Sequence, residues 1–144
     1  MKEGFLLEEK ILKEFKTIAV VGASPDPEHA SNRVFNYLLG QGYNVIPVNP
    51  NTDYISGRKC YSNLTSLPEK VEVVDIFRNS EHVLPVVEEA IKVGAKAVWM
   101  QEGVINLEAA AKARDAGLLV VMDRCMRKEH LRLTGKREME GRVL

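Results

Sequence analysis

The stretch Lys16–Ser31, KTIAVVGASPDPEHAS, decides the fold that the sequence predicts. Residues 17–21 are apolar and rich in β-branched side chains, which is typical of a strand buried on both faces. The strand runs directly into Gly22, where the backbone can take a positive φ and approach a ligand closely. Ser31 or Asn32 is the expected N-cap of the helix that follows. Strand, glycine turn and helix N-terminus together indicate an anion-binding unit, with a tight turn that binds nothing as an equal alternative.

The composition restricts the class of protein to which the chain can belong. Its 144 residues suffice for one domain, 1–144, that buries roughly two-thirds of its unfolded surface. Lys and Arg number 20, as do Asp and Glu, so no net field favours nucleic acid or a membrane as a partner. Cys60, Cys125 and the scattered histidines form no spaced motif, which predicts no metal site and no disulfide framework. Since no signal peptide or membrane span is visible, we expect a cytoplasmic protein.

The rest of the chain alternates between apolar strands and amphipathic helices. The strands predicted after the first are residues 44–48, 71–77, 97–100 and 118–122. A helix within residues 1–15 is expected to pack on the sheet, and a basic tail occupies residues 132–144. The basic side chains after the fifth strand are expected to form a solvated face, since they are interleaved with Glu129 and Glu138: Arg124, Arg127, Lys128, Arg132, Lys136 and Arg137. This alternation predicts the α/β class: a single doubly wound, Rossmann-like domain with a five-stranded parallel sheet and helices on both faces.

Several local features are predicted from single residues. Pro47 has no backbone N–H, so we expect a bulge or break in the second strand. Ser80 and Asn106 are the expected N-caps of the helices after the third and fourth strands. Pro85 lies deep for a first-turn proline if Ser80 is the cap, so a helix that begins one or two residues later is the alternative. Residues 52–70 carry turn signals and no long element. Trp99, in the fourth strand, is expected in the core.

Loops that follow the strands form the predicted ligand site, because doubly wound folds bind ligands beyond the carboxyl ends of their strands. The converging loops are residues 22–25, 49–51, 76–78 and 100–103. The first loop lacks the second glycine of G-x-G-x-x-G, and the second strand ends in Asn49-Pro50 where a dinucleotide site has an acid. Both departures disfavour NAD and favour a phosphate-bearing ligand with a different tail.

Several segments together resemble the small stand-alone CoA-binding domain family: VVGASPDP, SNRVFNYLLGQGYNVIPVNP, DIFRNSEHV, MQEGV and MDRCM. That family is similar to the amino-terminal domain of the succinyl-CoA synthetase α subunit, and the resemblance spans about residues 10–131. It implies CoA or acyl-CoA as the ligand. The synthetase's phosphohistidine domain and its β subunit have no counterpart in these residues, so we expect no catalysis by the chain alone.

The resemblance also implies which side chains and loops bind CoA. It places the phosphates at the first loop and on an arginine of the following helix, the nucleotide beside the second loop, and further contacts on the third and fourth. In chain order these residues are Gly22, Ala23, Ser24, Pro25, Arg33, Asn49, Pro50, Asn51, Phe77, Arg78, Gln101, Glu102 and Gly103.

Each candidate side chain also has a role that needs no ligand. A cation such as Arg33 is unfavourable at a helix N-terminus unless a phosphate binds there, whereas a solvated surface arginine is the alternative. Arg78 either contacts a phosphate or pairs with Glu81. Phe77 either packs on adenine or, as is more common, lies in the core. Glu102 has no second catalytic group near it in sequence, which favours a solvated loop acid over an acid or base.

The leading hypothesis is a CoA-binding protein without catalysis of its own. Two alternatives stay open: an acyl-CoA ligase or transferase component that works with a partner chain, and an NAD(P)-dependent oxidoreductase with an unusual loop. The sequence identifies no protein partner. Cys125 lies at the predicted ligand edge, where an inert buried cysteine is expected and a mixed disulfide with the CoA thiol is the alternative.

Overall fold

The computed structural model describes residues 3–135, and side chains from Leu7 onward. Most of the predicted basic tail, residues 136–144, lies outside the described residues. The helices are α1 (Glu3–Glu14), α2 (Ala30–Gly40), α3 (Val83–Lys92), α4 (Leu107–Asp115) and α5 (Met126–Thr134). The strands are β1 (Thr17–Val21), β2 (Asn44–Val48), β3 (Tyr54–Ile55), β4 (Arg58–Lys59), β5 (Val73–Ile76), β6 (Ala97–Met100) and β7 (Leu119–Val121).

The main sheet has five parallel strands in the order β2-β1-β5-β6-β7, which confirms the predicted fold class. The chain runs outward from β1 to β2, then returns to the other side of β1 with β5. The strand order therefore reverses between β1 and β5, the place where a doubly wound sheet opens a crevice for ligands. Between β2 and β5 the chain adds only the β3–β4 hairpin and one turn of 3-10 helix at residues 64–66.

Helices cover both faces of the sheet, as predicted. Alternate strand residues such as Val20 and Trp99 pack on one face with α1, α2 and α5, while Val21 and Met100 pack on the other face with α3 and α4. Trp99 is fully buried in this core, as expected. The strands of the main sheet are buried on both faces over most of their length, and this explains why their sequences are unbroken apolar runs.

The predicted bulge at Pro47 is wrong. β2 is an edge strand, and residues 44–48 pair with β1 without interruption, with Pro47 opposite Val20. The carbonyl of Pro47 accepts from the N–H of Tyr61, on the side away from β1. The proline nitrogen lies on that same outer side, so the ladder to β1 loses no hydrogen bond.

Two predicted N-cap residues are also wrong, while a third is confirmed. The N-cap of α2 is His29, and Ser31 and Asn32 lie buried inside its first turn. Ser80 begins a 3-10 turn ahead of α3, and its hydroxyl accepts from the N–H of Ile105 instead of capping a helix. The N-cap of α3 is His82, two residues later, which confirms the alternative that Pro85 indicated. Asn106 caps α4 as predicted, by accepting from the N–H of Ala109.

The opening helix α1 packs against α5 and β7. Glu8, which is 6% exposed, lies 3.5 Å from Arg124 on the loop after β7 and 3.5 Å from Arg132 on α5. Burial raises the pKa of the Glu8 carboxyl, and the two guanidinium groups oppose that rise. Among the described helices, none has the length and apolar character that crossing a membrane requires.

Candidate functional site

Gly22, directly after β1, lies against the backbone that follows β5. Its φ is +89°, where glycine is favoured, and a β-carbon built there would lie 2.1 Å from the carbonyl oxygen of Phe77. The N–H of Phe77 donates to the carbonyl of Val21 over 2.8 Å, so the two chain segments are tied together. The space that the sequence suggested for a ligand is therefore occupied by the chain's own backbone, and a side chain at Gly22 is excluded for that reason.

Free backbone N–H groups flank the first loop. Within residues 3–135, the N–H groups of Ala23 and Ser24 donate to no acceptor. The N–H groups of Ala30 and Ser31, in the first turn of α2, likewise have no acceptor among the described residues, and that turn contains no acidic side chain. A helix N-terminus carries partial positive charge, so these donors suit an anion.

Side-chain hydrogen bonds hold the first loop in one conformation. The Ser24 hydroxyl accepts from the N–H of Asp26 over 3.0 Å and lies 2.7 Å from Nδ1 of His29. The Asn32 amide donates to the carbonyl of Ser24 over 2.9 Å. Asn32 therefore orders the loop from inside α2. Pro25 is exposed on this loop.

Arg33 is exposed on α2, and part of its guanidinium is already engaged. Its Nη1 donates to the carbonyl of Pro27 over 3.2 Å and to that of Glu28 over 2.9 Å. These bonds connect the loop to the helix, which neither sequence-based hypothesis for Arg33 anticipated. The remaining donors of the fork stay available to a ligand.

Arg78 differs from Arg33 because its side chain has no partner. It is exposed, and among the described residues it forms no hydrogen bond or ion pair. The ion pair with Glu81, one of the two alternatives for Arg78, is therefore absent among the described residues. The Glu81 carboxylate instead lies 4.0 Å from the ring of His82. Phe77, next to Arg78, is half-buried against the core, so the predicted core position is correct for only part of its ring.

Asn49 uses its side chain to join two loops. Its amide nitrogen donates to the carbonyl of Ala23 over 2.7 Å, and its amide oxygen accepts from the N–H of Asn51 over 2.8 Å. The Asn49 side chain therefore fixes the first loop relative to the second. Pro50 lies between the two asparagines in sequence, and it lines a cavity together with residues of α3.

The loop after β6 is built into the fold by Gln101 and Gly103. Gln101 is 3% exposed, and its Oε1 accepts from the N–H of Met126 over 3.0 Å at the start of α5. The N–H of Gly103 donates to the Asp123 carboxylate over 2.8 Å. Glu102 is the exposed member, and its carboxylate lies 3.0 Å from Lys128 Nζ. Glu102 therefore forms an ion pair on the surface, as expected for a solvated acid.

Two cavities open at this edge of the sheet. The first, which we term the α5 cavity, has a volume of about 420 Å³ and is lined by Ala30, Arg33, Val34, Phe77, Arg78, Asn79, Gln101, Glu102, Val104, Cys125, Arg127 and Lys128. The second, the α3 cavity, has a volume of about 220 Å³ and is lined by Val21, Gly22, Val48, Pro50, Ser62, Asn63, Arg78, Pro85, Val86 and Glu89. Arg78 lines both and so lies between them.

The structure brings together some of the predicted site residues and leaves others in supporting positions. Those that line neither cavity are Ala23, Ser24, Pro25, Asn49, Asn51 and Gly103. The wall formed by Arg127 and Lys128 was missed, because the basic segment after the fifth strand was interpreted as a solvated face.

Asp75 is a buried carboxyl that the sequence analysis did not single out. It lies in β5, pairs with Val20 and Trp99 on either side, and is 0% exposed. Neither of its carboxyl oxygens has a hydrogen-bond partner among the described residues. Burial raises the pKa of Asp75 well above its ordinary value. The chain therefore carries an unpaired acid at the centre of its sheet, in the strand that leads to Arg78.

Comparison with known proteins gives this site a family. A family model described as "CoA binding domain" matches residues 16–131. The uncharacterized protein YneT of Bacillus subtilis (strain 168) is 37% identical over 122 residues, which cover 85% of this chain and 90% of YneT. A solved structure, a hypothetical protein from Pyrococcus horikoshii OT3, is 49% identical with a TM-score of 0.88, and the match covers 91% of this chain and 92% of that one.

The same domain also occurs inside a larger enzyme. Acetate–CoA ligase (ADP-forming) I of Archaeoglobus fulgidus is 33% identical over 103 residues, which cover 72% of this chain but only 14% of the ligase. The relation is therefore to one region of that ligase. The family model covers most of the described residues and all four loops at the carboxyl edge of the sheet, and the chain belongs to the CoA-binding domain family.

Proposed function

We propose that this chain binds CoA or acyl-CoA at the carboxyl edge of its sheet and has no catalytic activity of its own. The observation that carries the proposal is Arg78, a guanidinium with no partner among the described residues, located between the two cavities where strand order reverses. A free cation at this crevice suits a ligand with several phosphates. The family match and the CoA named in the ligase relative support the same ligand.

The phosphates of CoA fit between the first loop and Arg78. Free N–H groups at Ala23, Ser24 and Ala30 supply neutral donors on one side, and the Arg78 fork supplies charge on the other. Charge-assisted hydrogen bonds of this kind are about twice as strong as neutral ones. The nucleotide then lies toward Pro50 in the α3 cavity, and the pantetheine arm enters the α5 cavity.

Two further observations argue against the alternatives. Asn49 follows β2 where a dinucleotide site needs a carboxylate, and its amide is already used by Ala23 and Asn51, so a ribose of NAD lacks its usual acceptor. Glu102, the acid at the rim, is 59% exposed and paired with Lys128, so its environment does not prepare it for proton transfer.

Calorimetric titration of CoA into Arg78→Met tests the proposal. Loss of one charge-assisted hydrogen bond is expected to cost about 1.5–3 kcal/mol, which corresponds to roughly 10- to 150-fold weaker binding. The stability of the variant should change by less than about 0.5 kcal/mol, because the wild-type side chain forms no hydrogen bond or ion pair with the described residues.

Arg114→Met is the matched control. Arg114 is an exposed arginine in the last turn of α4, at the opposite edge of the sheet from the site. Its replacement should leave CoA affinity unchanged. Equal losses in both variants would mean that only net charge matters, and unchanged affinity in Arg78→Met would place the phosphates elsewhere.

A further inference from the structure

Cys125 forms part of the wall of the α5 cavity. It follows β7, occupies the N-cap position of α5, and is 8% exposed. No hydrogen bond involves its thiol among the described residues. Arg33, Arg78 and Lys128 also line this cavity. Glu102 lines it as well, with its carboxylate 3.0 Å from Lys128 Nζ, so the lining contains more cationic than anionic side chains.

Gln101 gives independent evidence that a ligand occupies this part of the cavity. Gln101 lines the cavity although it is only 3% exposed. Its Oε1 accepts from Met126, which fixes the orientation of the amide and leaves Nε2 as the other polar atom. Within residues 3–135, Nε2 donates to no acceptor, and unlike the oxygens of Asp75 it is not fully enclosed by protein atoms. A buried amide donor facing a cavity calls for an acceptor such as a ligand carbonyl.

Strand order places Cys125 at the end of a line of candidate ligand contacts. Gly22, Arg78, Gln101 and Cys125 follow β1, β5, β6 and β7, which are neighbours in that order. Adjacent strands lie about 4.8 Å apart, so the loops after β1 and β7 are separated by roughly 14 Å across the sheet edge. If the phosphates lie between the β1 loop and Arg78, the pantetheine arm is the part of CoA that extends toward Gln101 and Cys125.

We propose that Cys125 forms a reversible mixed disulfide with the CoA thiol by exchange with CoA disulfide bound in the α5 cavity. This proposal rests on the proposed function, since the bound nucleotide is what brings the disulfide to the cysteine. The amide carbonyls of the pantetheine arm supply the acceptor that Gln101 Nε2 lacks, and binding then holds the two sulfurs close together.

The exchange is balanced without any further oxidant. The Cys125 thiol gives its proton to solvent, and the thiolate attacks one sulfur of CoA disulfide. A bond forms between Cys125 Sγ and that sulfur while the S–S bond of the reagent breaks. The second CoA leaves as a thiolate and takes up a proton. One disulfide is consumed and one is formed, and a thiol such as dithiothreitol reverses the step.

Intact-mass analysis of the full chain with CoA disulfide tests the proposal, with glutathione disulfide as the comparison reagent. We expect one adduct, heavier by one CoA less two hydrogens, that dithiothreitol removes. Because glutathione lacks the nucleotide, its disulfide should react at least tenfold more slowly. Peptide mapping of the wild-type protein assigns the modified cysteine without relying on a variant.

Cys60 is the matched control within the chain. It is also buried, it does not line the α5 cavity, and burial raises the pKa of its thiol. Cys60→Ser should retain the adduct and Cys125→Ser should lose it. An adduct that maps to Cys60, equal rates with both disulfides, or no adduct at all would overturn the exchange.

Titration of reduced CoA in the presence of a phosphine reductant separates the two proposals. If reduced CoA binds but no adduct forms at Cys125, the exchange is wrong and the proposed function stands. If reduced CoA does not bind, the proposed function is wrong. Equal rates of reaction with the two disulfides would then show that Cys125 reacts as an ordinary thiol without recognition of CoA.

Discussion

Replacing Asp75 with asparagine should raise the stability of the protein relative to the wild type progressively as the pH rises above about 4. The two oxygens of Asp75 are buried and have no partner among the described residues, so the folded state holds the carboxyl in its neutral form. Burial raises the pKa of Asp75 well above its ordinary value, while the unfolded chain releases the proton near that ordinary value.

The sign and size of the effect follow from proton linkage. Above the pKa of the unfolded chain, the folded state binds one proton more than the unfolded state, so stability falls with rising pH. The loss is at most about 1.4 kcal/mol for each pH unit until the pH passes the pKa of the folded state. The full stability is present only below the pKa of the unfolded carboxyl. Asp75→Asn has a similar shape and no proton to release, so this loss is absent from the variant.

Urea unfolding of the wild type and Asp75→Asn at several pH values between 4 and 8 measures the difference. A constant offset is expected from the amide, which is also unpaired, and it does not depend on pH. The informative quantity is therefore the slope of the difference, which should favour the variant progressively above pH 4. Asp115→Asn, at an exposed position on α4, is the control and should run parallel to the wild type. Parallel curves for Asp75→Asn as well would refute a neutral, unpaired Asp75.

Two backbone and loop predictions have controls within the chain. Gly22→Ala should lower the free energy of unfolding by more than Gly117→Ala, because both glycines have φ near +90° but only the first would meet Phe77. Strain alone is expected to cost about 1–2 kcal/mol in Gly117→Ala, and equal losses in thermal denaturation would contradict the clash. Asn49→Ala removes two hydrogen bonds and should cost about 1–3 kcal/mol, whereas Asn51→Ala should be close to neutral. Similar melting temperatures for these two variants would show that the Asn49 amide does not hold the loops.

The fold was predictable because its signals are local. Thr17–Val21 and the other strands of the main sheet are apolar runs, which are typical of a parallel sheet whatever the order of its strands. The glycines between them mark the ends of helices. The role of Ser80 ahead of α3 was not predictable in this way. Ser80 is a good N-cap by residue type, but its hydroxyl accepts from Ile105, a residue distant in sequence that reaches it only in the folded chain.

The candidate site divides in the same way. Its place at the carboxyl edge follows from the fold, whereas the role of each side chain depends on partners far along the chain. Gln101 caps α5 through Met126, and Gly22 is required by the position of Phe77. Neither partner can be identified from spacing, so the structural roles of these two residues were not predicted. Arg78 is distinguished from Arg33 by its lack of hydrogen bonds and ion pairs to the described residues, which no sequence pattern encodes.

The central claim is that the crevice between β1 and β5 recognises CoA in preference to NAD. Calorimetric titration of the wild-type protein with CoA, dephospho-CoA and NAD under one reducing buffer tests it most directly. CoA should bind at least tenfold more tightly than NAD, a difference of about 1.4 kcal/mol or more, because no carboxylate follows β2 to hold the dinucleotide ribose. Dephospho-CoA lacks the ribose phosphate of CoA, so the difference between its affinity and that of CoA measures how much this phosphate contributes. NAD binding as tight as that of CoA would contradict the assignment of this crevice.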